Sequence, residues 1–143
     1  MLSNSSKYAI KAVLFIALNA SEENKVMAKD ISQPINVPQA YIAKLLQELV
    51  KKGIVSSVRG PKGGFYLDEI NMNHSIMSIV SVIDGEKKLN SCMMSLEKCN
   101  EEKPCPLHSI LVTSRSQILN SLKNKTIRAL VEEVKLGKAF LPL

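Results

Sequence analysis

Tryptophan is absent from the 143 residues, and three Tyr with three Phe bring aromatics to only 4%. Surfaces that hold single-stranded nucleic acid stack its bases on such rings, so that class of surface is poorly supplied here. Cysteine is also scarce: three residues, an odd number, all between positions 92 and 105. They cannot all pair within the chain, which excludes a disulfide scaffold, and clustered free thiols suit a reducing compartment, so a cytoplasmic location is expected. No apolar stretch is long enough to cross a membrane. Lys7, the apolar run Ala12 to Leu18 and the small residues ending at Ala20 imitate a signal peptide, but Lys11 interrupts the apolar segment and no leader is expected. Glycine and proline number six each, too few for a collagen-like or low-complexity chain; with 45% hydrophobic and 22% charged residues the profile is one soluble globular domain. A chain of this length buries roughly two thirds of its unfolded surface without help from metal, so any metal is expected to be functional.

What the chain does have is basic charge. Lys and Arg number 19 against 13 Asp and Glu, a net +6, which favours a polyanionic partner. Residues 1–67 hold nine Lys/Arg and four Asp/Glu, whereas residues 68–143 hold ten and nine. The polyanion surface is therefore expected in the first half, and with so few aromatics duplex DNA suits it better than a single strand.

Hydrophobic period divides the chain further. Ile10, Val13, Leu14, Ala17 and Leu18 define one face of a helix expected from about Ser6 to Asn19. A short second helix is expected over Met27–Ser32, then a turn through Gln33 to Val37, then a third helix from Pro38 to Lys52 with Ile42, Leu45, Leu46 and Leu49 inward and Gly53 as its stop. Helix, short helix, turn and longer helix make a helix-turn-helix. Residues 54–58 and 64–67 are rich in strand formers and enclose Arg59-Gly60-Pro61-Lys62-Gly63, the pattern of a hairpin and, in this position, of a wing. The expected fold is mainly α, a winged helix-turn-helix with a two-stranded wing and a long C-terminal dimerisation helix.

A fourth helix is expected to open at His74 or Ser75 and to end at Gly85; from Glu86 to Pro106 no period survives, and a loop of that length is usually functional. Beyond it, Leu107, Leu111, Ser114, Ile118 and Leu122 recur every three or four residues, with Ile110 and Leu119 widening the stripe. One small domain cannot cover that much apolar surface, so this helix is read as a homodimer contact. A last helix is expected over Ile127–Val134, capped by Thr126. The segments are thus a DNA-binding module over 1–67, a linker helix with a Cys-rich loop over 68–106, and dimerisation and C-terminal helices over 107–143.

In the third helix, Gln39, Ala40, Ala43, Lys44 and Gln47 lie off the apolar face near its start, where a recognition helix reads base edges. Gln pairs best with adenine and Lys with guanine, while Ala can meet a thymine methyl. Tyr41 is expected to hold a phosphate or to pack. The alternative is an ordinary amphipathic helix with a solvated face, which the adjoining wing disfavours. Arg-Gly-Pro-Lys-Gly-Gly at the wing lacks both the Lys-Ser/Thr ending of a nucleotide loop and the dinucleotide fingerprint, so it reads as a tight turn that also aims Arg59 and Lys62 at DNA.

Cys92, Cys99, Cys105 and His108 form a C-x6-C-x5-C-x2-H constellation. Structural zinc sites usually use Cys pairs two to four residues apart, and the wider gaps here favour an iron-sulfur cluster, two-iron or four-iron, which spans more than one ion and accepts His in place of one Cys. Unliganded surface thiols are the plain alternative. A Cys nucleophile with His108 as base is disfavoured, because nothing supplies an oxyanion hole or a substrate pocket.

Lys7-Tyr8-Ala9-Ile10, Tyr41 to Leu49, Val58-Arg59-Gly60-Pro61-Lys62-Gly63-Gly64, Ile83-Asp84-Gly85 and the Cys/His loop together cover nearly the whole chain. On these strings it resembles the Rrf-two family of bacterial winged-helix regulators, with the cysteine loop of the IscR type. The resemblance implies a homodimer crossed through the long helix, cluster ligation by Cys92, Cys99 and Cys105, and His108 as fourth ligand. Other members take the fourth ligand from an acidic residue of the partner's first helix, a region where this chain has Lys7 and Lys11. Two departures stand out: the first cysteine gap is six where the family's cluster pattern has five, and Ala43 replaces an acidic residue of the recognition helix. The expected function is control of transcription, by repression, with the cluster sensing iron, redox or nitric oxide status. The alternative is a cluster-free regulator controlled by a partner protein or by thiol oxidation.

Overall fold

A computed structural model describes residues 2–92, 94 and 99–143, so residues 93 and 95–98 of the expected loop lie outside the described residues. Helix α1 (Asn4–Asn19) begins two residues before the expected start because Ser3 caps it, its side chain accepting from the Ser6 amide. Its face of Ala9, Ala12, Val13 and Ile16 is fully buried, and α1 is the element against which most of the others pack. Helix α2 (Ala28–Ile35) runs through Pro34, where a turn was expected. Proline removes one hydrogen bond there, but it stands in the last turn, and Asn36 in the left-handed region (φ 59°) then ends the helix. Helix α3 (Gln39–Lys51) starts one residue after Pro38, which caps it instead of occupying its first turn, and Gly53 (φ 72°) follows as the stop. Ile42, Leu45, Leu46 and Leu49 all face inward, each side chain of that size contributing about 1.5–3 kcal/mol when buried.

Strands β1 (Ser56–Val58) and β2 (Gly64–Tyr66) pair antiparallel with Ser56 opposite Tyr66 and Val58 opposite Gly64. The hairpin is anchored at its base, since Val26 and Phe65 exchange both backbone hydrogen bonds (3.1 and 2.7 Å). Gly64 is required at that crossing: its φ is 143°, and a Cβ there would stand 2.7 Å from the Val26 carbonyl oxygen. A four-residue helix not expected from the sequence, α4 (Glu69–Met72), follows. Buried Asn71 on it donates to the Gly53 carbonyl and accepts from Ser56 Oγ and the Asp68 amide, so one side chain joins the end of α3 to the start of the wing.

Helix α5 (Ile76–Leu89) is capped by Ser75 and broken at Gly85 (φ 77°, ψ 158°), after which one more turn brings Leu89 into the interior. The expected stop at Gly85 is a kink, and the expected loop begins four residues later. At the kink Asp84 accepts from the amide and hydroxyl of Ser3, joining α5 to the first turn of α1. Helix α6 (His108–Asn124) buries no residue, while α7 (Ile127–Lys135), capped by Thr126 as expected, returns Ile127 and Val131 to the core beside α1. The result is a mainly helical winged helix-turn-helix with a two-stranded sheet. Among the described residues no helix is long and apolar enough to cross a membrane.

Candidate functional site

Two surfaces carry the residues singled out in the sequence. On the first, α3 exposes Gln39, Ala40, Lys44 and Gln47, with Ala43 half-buried. Gln39 and Gln47 share a groove with Arg59 of the wing, and Lys29 and Lys51 line it as well. Arg59 and Lys62 stand exposed at the hairpin tip, which is shaped by a turn in which the Gly63 amide donates to the Gly60 carbonyl at 2.9 Å. Tyr41 packs: its ring meets Tyr8 edge to face at 6.0 Å, and its hydroxyl hydrogen bonds with Ser5 Oγ at 2.6 Å. That pair fixes the first turn of α3 on α1.

The second surface lies where α5 ends and α6 begins. Cys92, Cys99, Cys105 and His108 line one cavity of about 300 Å³, closed on its apolar side by Leu89, Leu111 and Val112 and flanked by Lys88 and Arg115. The kink at Gly85 and the burial of Leu89 deliver the chain to Cys92, and the turn in which the His108 amide bonds to the Cys105 carbonyl (3.0 Å) sets both side chains at the foot of α6. None of the three half-buried cysteines is in a disulfide. Cys99 Sγ and His108 Nδ1 are hydrogen bonded at 3.0 Å. Burial pushes the Cys99 thiol up and the neighbouring Cys92 adds to the effect, with Arg115 opposing them. Among the described residues no three His, Cys, Asp or Glu side chains are gathered closely enough for a single metal ion.

The family model for Rrf2, described as an iron-dependent transcriptional regulator, matches residues 2–133. The chain belongs to the Rrf2 family. Among curated relatives, the transcriptional regulator IscR of Pectobacterium atrosepticum is 31% identical over 130 residues, covering 91% of this chain and 78% of that one. Among solved structures, CymR, the global cysteine regulator of B. subtilis, superposes with a TM-score of 0.73 at 21% identity over 92% and 96% of the two chains. T. potens IscR does so at 0.71 and 21% over 98% and 92%. At that identity the superpositions speak for the fold, and they match the winged helix and its wing. Family and relatives make this chain a DNA-binding transcriptional regulator, which acts by binding and not by catalysis.

Of the sequence-selected residues, Cys92, Cys99, Cys105 and His108 line one cavity, whereas those on the DNA side are divided. Gln39, Gln47 and Arg59 share one groove, whereas Ala40, Ala43 and Lys44 lie on α3 outside its lining. Sequence reasoning passed over Lys29 and Lys51 on the groove and Lys88 and Arg115 on the cavity. Arg115 had an available signal: it lies seven residues, two helical turns, beyond His108 and so on the same side of α6.

Proposed function

We propose that this Rrf2 regulator is a homodimer that binds a pseudo-palindromic operator, as a repressor, and changes its affinity when an iron-sulfur cluster held by Cys92, Cys99, Cys105 and His108 is gained, lost or modified. The observation that carries the reading is the convergence of those four side chains on one cavity. The donor set fits: three thiols and an imidazole are iron ligands, and a cluster tolerates donors set wider apart than one ion does. The iron-dependent description of the family and the IscR name of the relative support it.

Once bound, the cluster would supply a centre whose charge and stability respond to iron, oxidants or nitric oxide. The chain's part is to present ligands in the right protonation state. Cys99 and His108 now satisfy each other through their 3.0 Å hydrogen bond, so ligation requires that bond to be given up and the thiol proton released. His108 opens α6, whose exposed Ile110 and Ile118 suit the face of a second copy. Ligand occupancy and subunit geometry thus bear on the same helix. On DNA, α3 would enter the major groove with Gln39, Ala40, Ala43, Lys44 and Gln47, while Arg59 and Lys62 hold the backbone or the minor groove.

Anaerobic reconstitution with iron and sulfide tests the cofactor. Visible absorption with matching iron and acid-labile sulfide is expected, lost when any one of the three cysteines becomes Ala, and retained in a more labile form in His108→Ala. A wild-type protein that takes up neither iron nor sulfide would overturn the cluster. The second reading, a cluster-free regulator governed by a partner protein or thiol oxidation, is favoured by the direct Cys99–His108 hydrogen bond and by the lack of a compact donor triad among the described residues.

A further inference from the structure

The donor segment is held across the cavity by contacts from α6. One is the Cys99–His108 hydrogen bond. Another belongs to Arg115, whose Nη1 donates to the Ser91 carbonyl at 3.0 Å over a separation of 24 residues. Ser91 immediately precedes Cys92, and Arg115 lines the same cavity as the three cysteines. Helix α6 buries none of its residues, and Leu111 and Val112, which close the cavity beside Leu89, are only half-buried. A directed hydrogen bond therefore matters more here than it would in a core. Lys88, the other cation on the cavity among the described residues, is drawn toward the Asp84 carboxylate at 4.0 Å.

We propose that Arg115 is the positioning residue of the donor site, tying the Ser91–Cys92 arm to α6 and setting a positive charge against its thiol-lined wall. A guanidinium suits both tasks, since its planar fork can donate to a carbonyl while the rest of the cation faces sulfur. The opposing effects of Arg115 and Cys92 on the Cys99 thiol agree with a cation facing that wall. The tether is a property of the chain alone. The charge effect rests on the cluster reading, because it requires an anionic thiolate-iron centre.

The two parts have separate tests. Hydrogen exchange read by mass spectrometry on the full-length, metal-free protein reports the tether. Arg115→Ala should speed exchange over residues 88–92 about fivefold, the factor that loss of one ordinary hydrogen bond allows, and leave α1 and α3 unchanged. Arg115→Lys, which keeps a donor and the charge, should fall between Ala and wild type. Unchanged exchange over 88–92 in Arg115→Ala would overturn the tether. In reconstituted protein, Arg115→Ala and Arg115→Gln should both lower the cluster's reduction potential while Arg115→Lys keeps it near wild type, because a lost cation disfavours the more negative, reduced state. Equal potentials in all four proteins would overturn the charge effect. A wild-type protein that binds no cluster would remove the charge effect together with the cofactor, while the exchange data still decide the tether.

Discussion

Helices α1, α3, α5 and α7 each bury aliphatic side chains to 2% exposure or less, whereas α6, the longest helix with 17 residues, buries none. The difference separates a region that holds its shape from within from one that does not. Helices in water draw most of their stability from a packed face, and α6 leaves Ile110 at 65% and Ile118 at 41% exposure, the face that the proposed homodimer would cover. The Cys cavity sits at the foot of this helix, and its three cysteines lie on the segment between α5 and α6. Under the proposed function, recognition of DNA falls to the self-sufficient region and the response to a signal to the region left open.

The largest effect should come from placing a charge on the open helix. Ile118→Glu is expected to leave the fold of α1–α3 intact and turn a micromolar dimer into monomers, seen by light scattering, since the carboxylate would have to enter a dry contact. Wild-type protein that is monomeric at that concentration would erase the comparison. Leu46→Ala supplies the contrast: in the closed region it should cost about 2–5 kcal/mol of unfolding free energy by denaturant titration, without a specific effect on subunit exchange. Leu111 is a poorer probe of the dimer, because it also lines the Cys cavity.

A smaller effect is expected at the seam between the regions. Burial alone would raise the Asp84 carboxyl, but the Ser3 hydroxyl and amide donate to it and Lys88 adds attraction, so its pKa lies below the ordinary value. A carboxylate depressed in the folded state contributes stability above the unfolded pKa and loses it as pH falls through the folded one. Asp84→Asn should therefore cost about 1–3 kcal/mol at neutral pH, and the gap from wild type should close as pH drops below about 4. A constant gap from neutral pH down to that acid range would show that the carboxylate's charge is not what joins the kink to α1.

The same division explains what was legible in the sequence. Elements whose apolar period is satisfied inside the chain, α1 and α3 above all, were placed to within two residues, and the wing was marked by strand formers around a glycine-rich turn. Pro34 misled because proline is tolerated in the last turn of so short a helix. Helix α4 was missed because a single turn has no period; its only trace is the capping pair Asp68 and Asn71, whose side chains each accept from the backbone near the other. The turn after Gly85 was missed for a similar reason, Leu89 being its one apolar residue. The meeting of three cysteines with His108 followed from spacing and residue type. Arg115 left a weaker trace, its place two helical turns beyond His108, because its partner is a backbone carbonyl that no residue type marks.

The smallest of the expected changes concerns the wing. Replacing Arg59 and Lys62 together by Ala should weaken binding to every duplex and reduce the log-log salt slope by about one unit for each phosphate no longer neutralised, measured by fluorescence anisotropy over a salt series. Exchanging Gln39 or Lys44 should instead alter preference at one base pair per half-site by about 1–3 kcal/mol. An unchanged slope in the double variant would move the DNA surface away from the wing.

The most direct test of the account is the affinity of one preparation for one operator duplex, measured anaerobically with the cluster reconstituted and again after its removal by a chelator. Coupling of ordinary size, about 1–3 kcal/mol, predicts that Kd changes by roughly 5- to 150-fold between the two forms and that Cys99→Ala behaves like the stripped protein in both. Equal Kd values for the loaded and stripped wild type would contradict the claim that the open region governs the closed one.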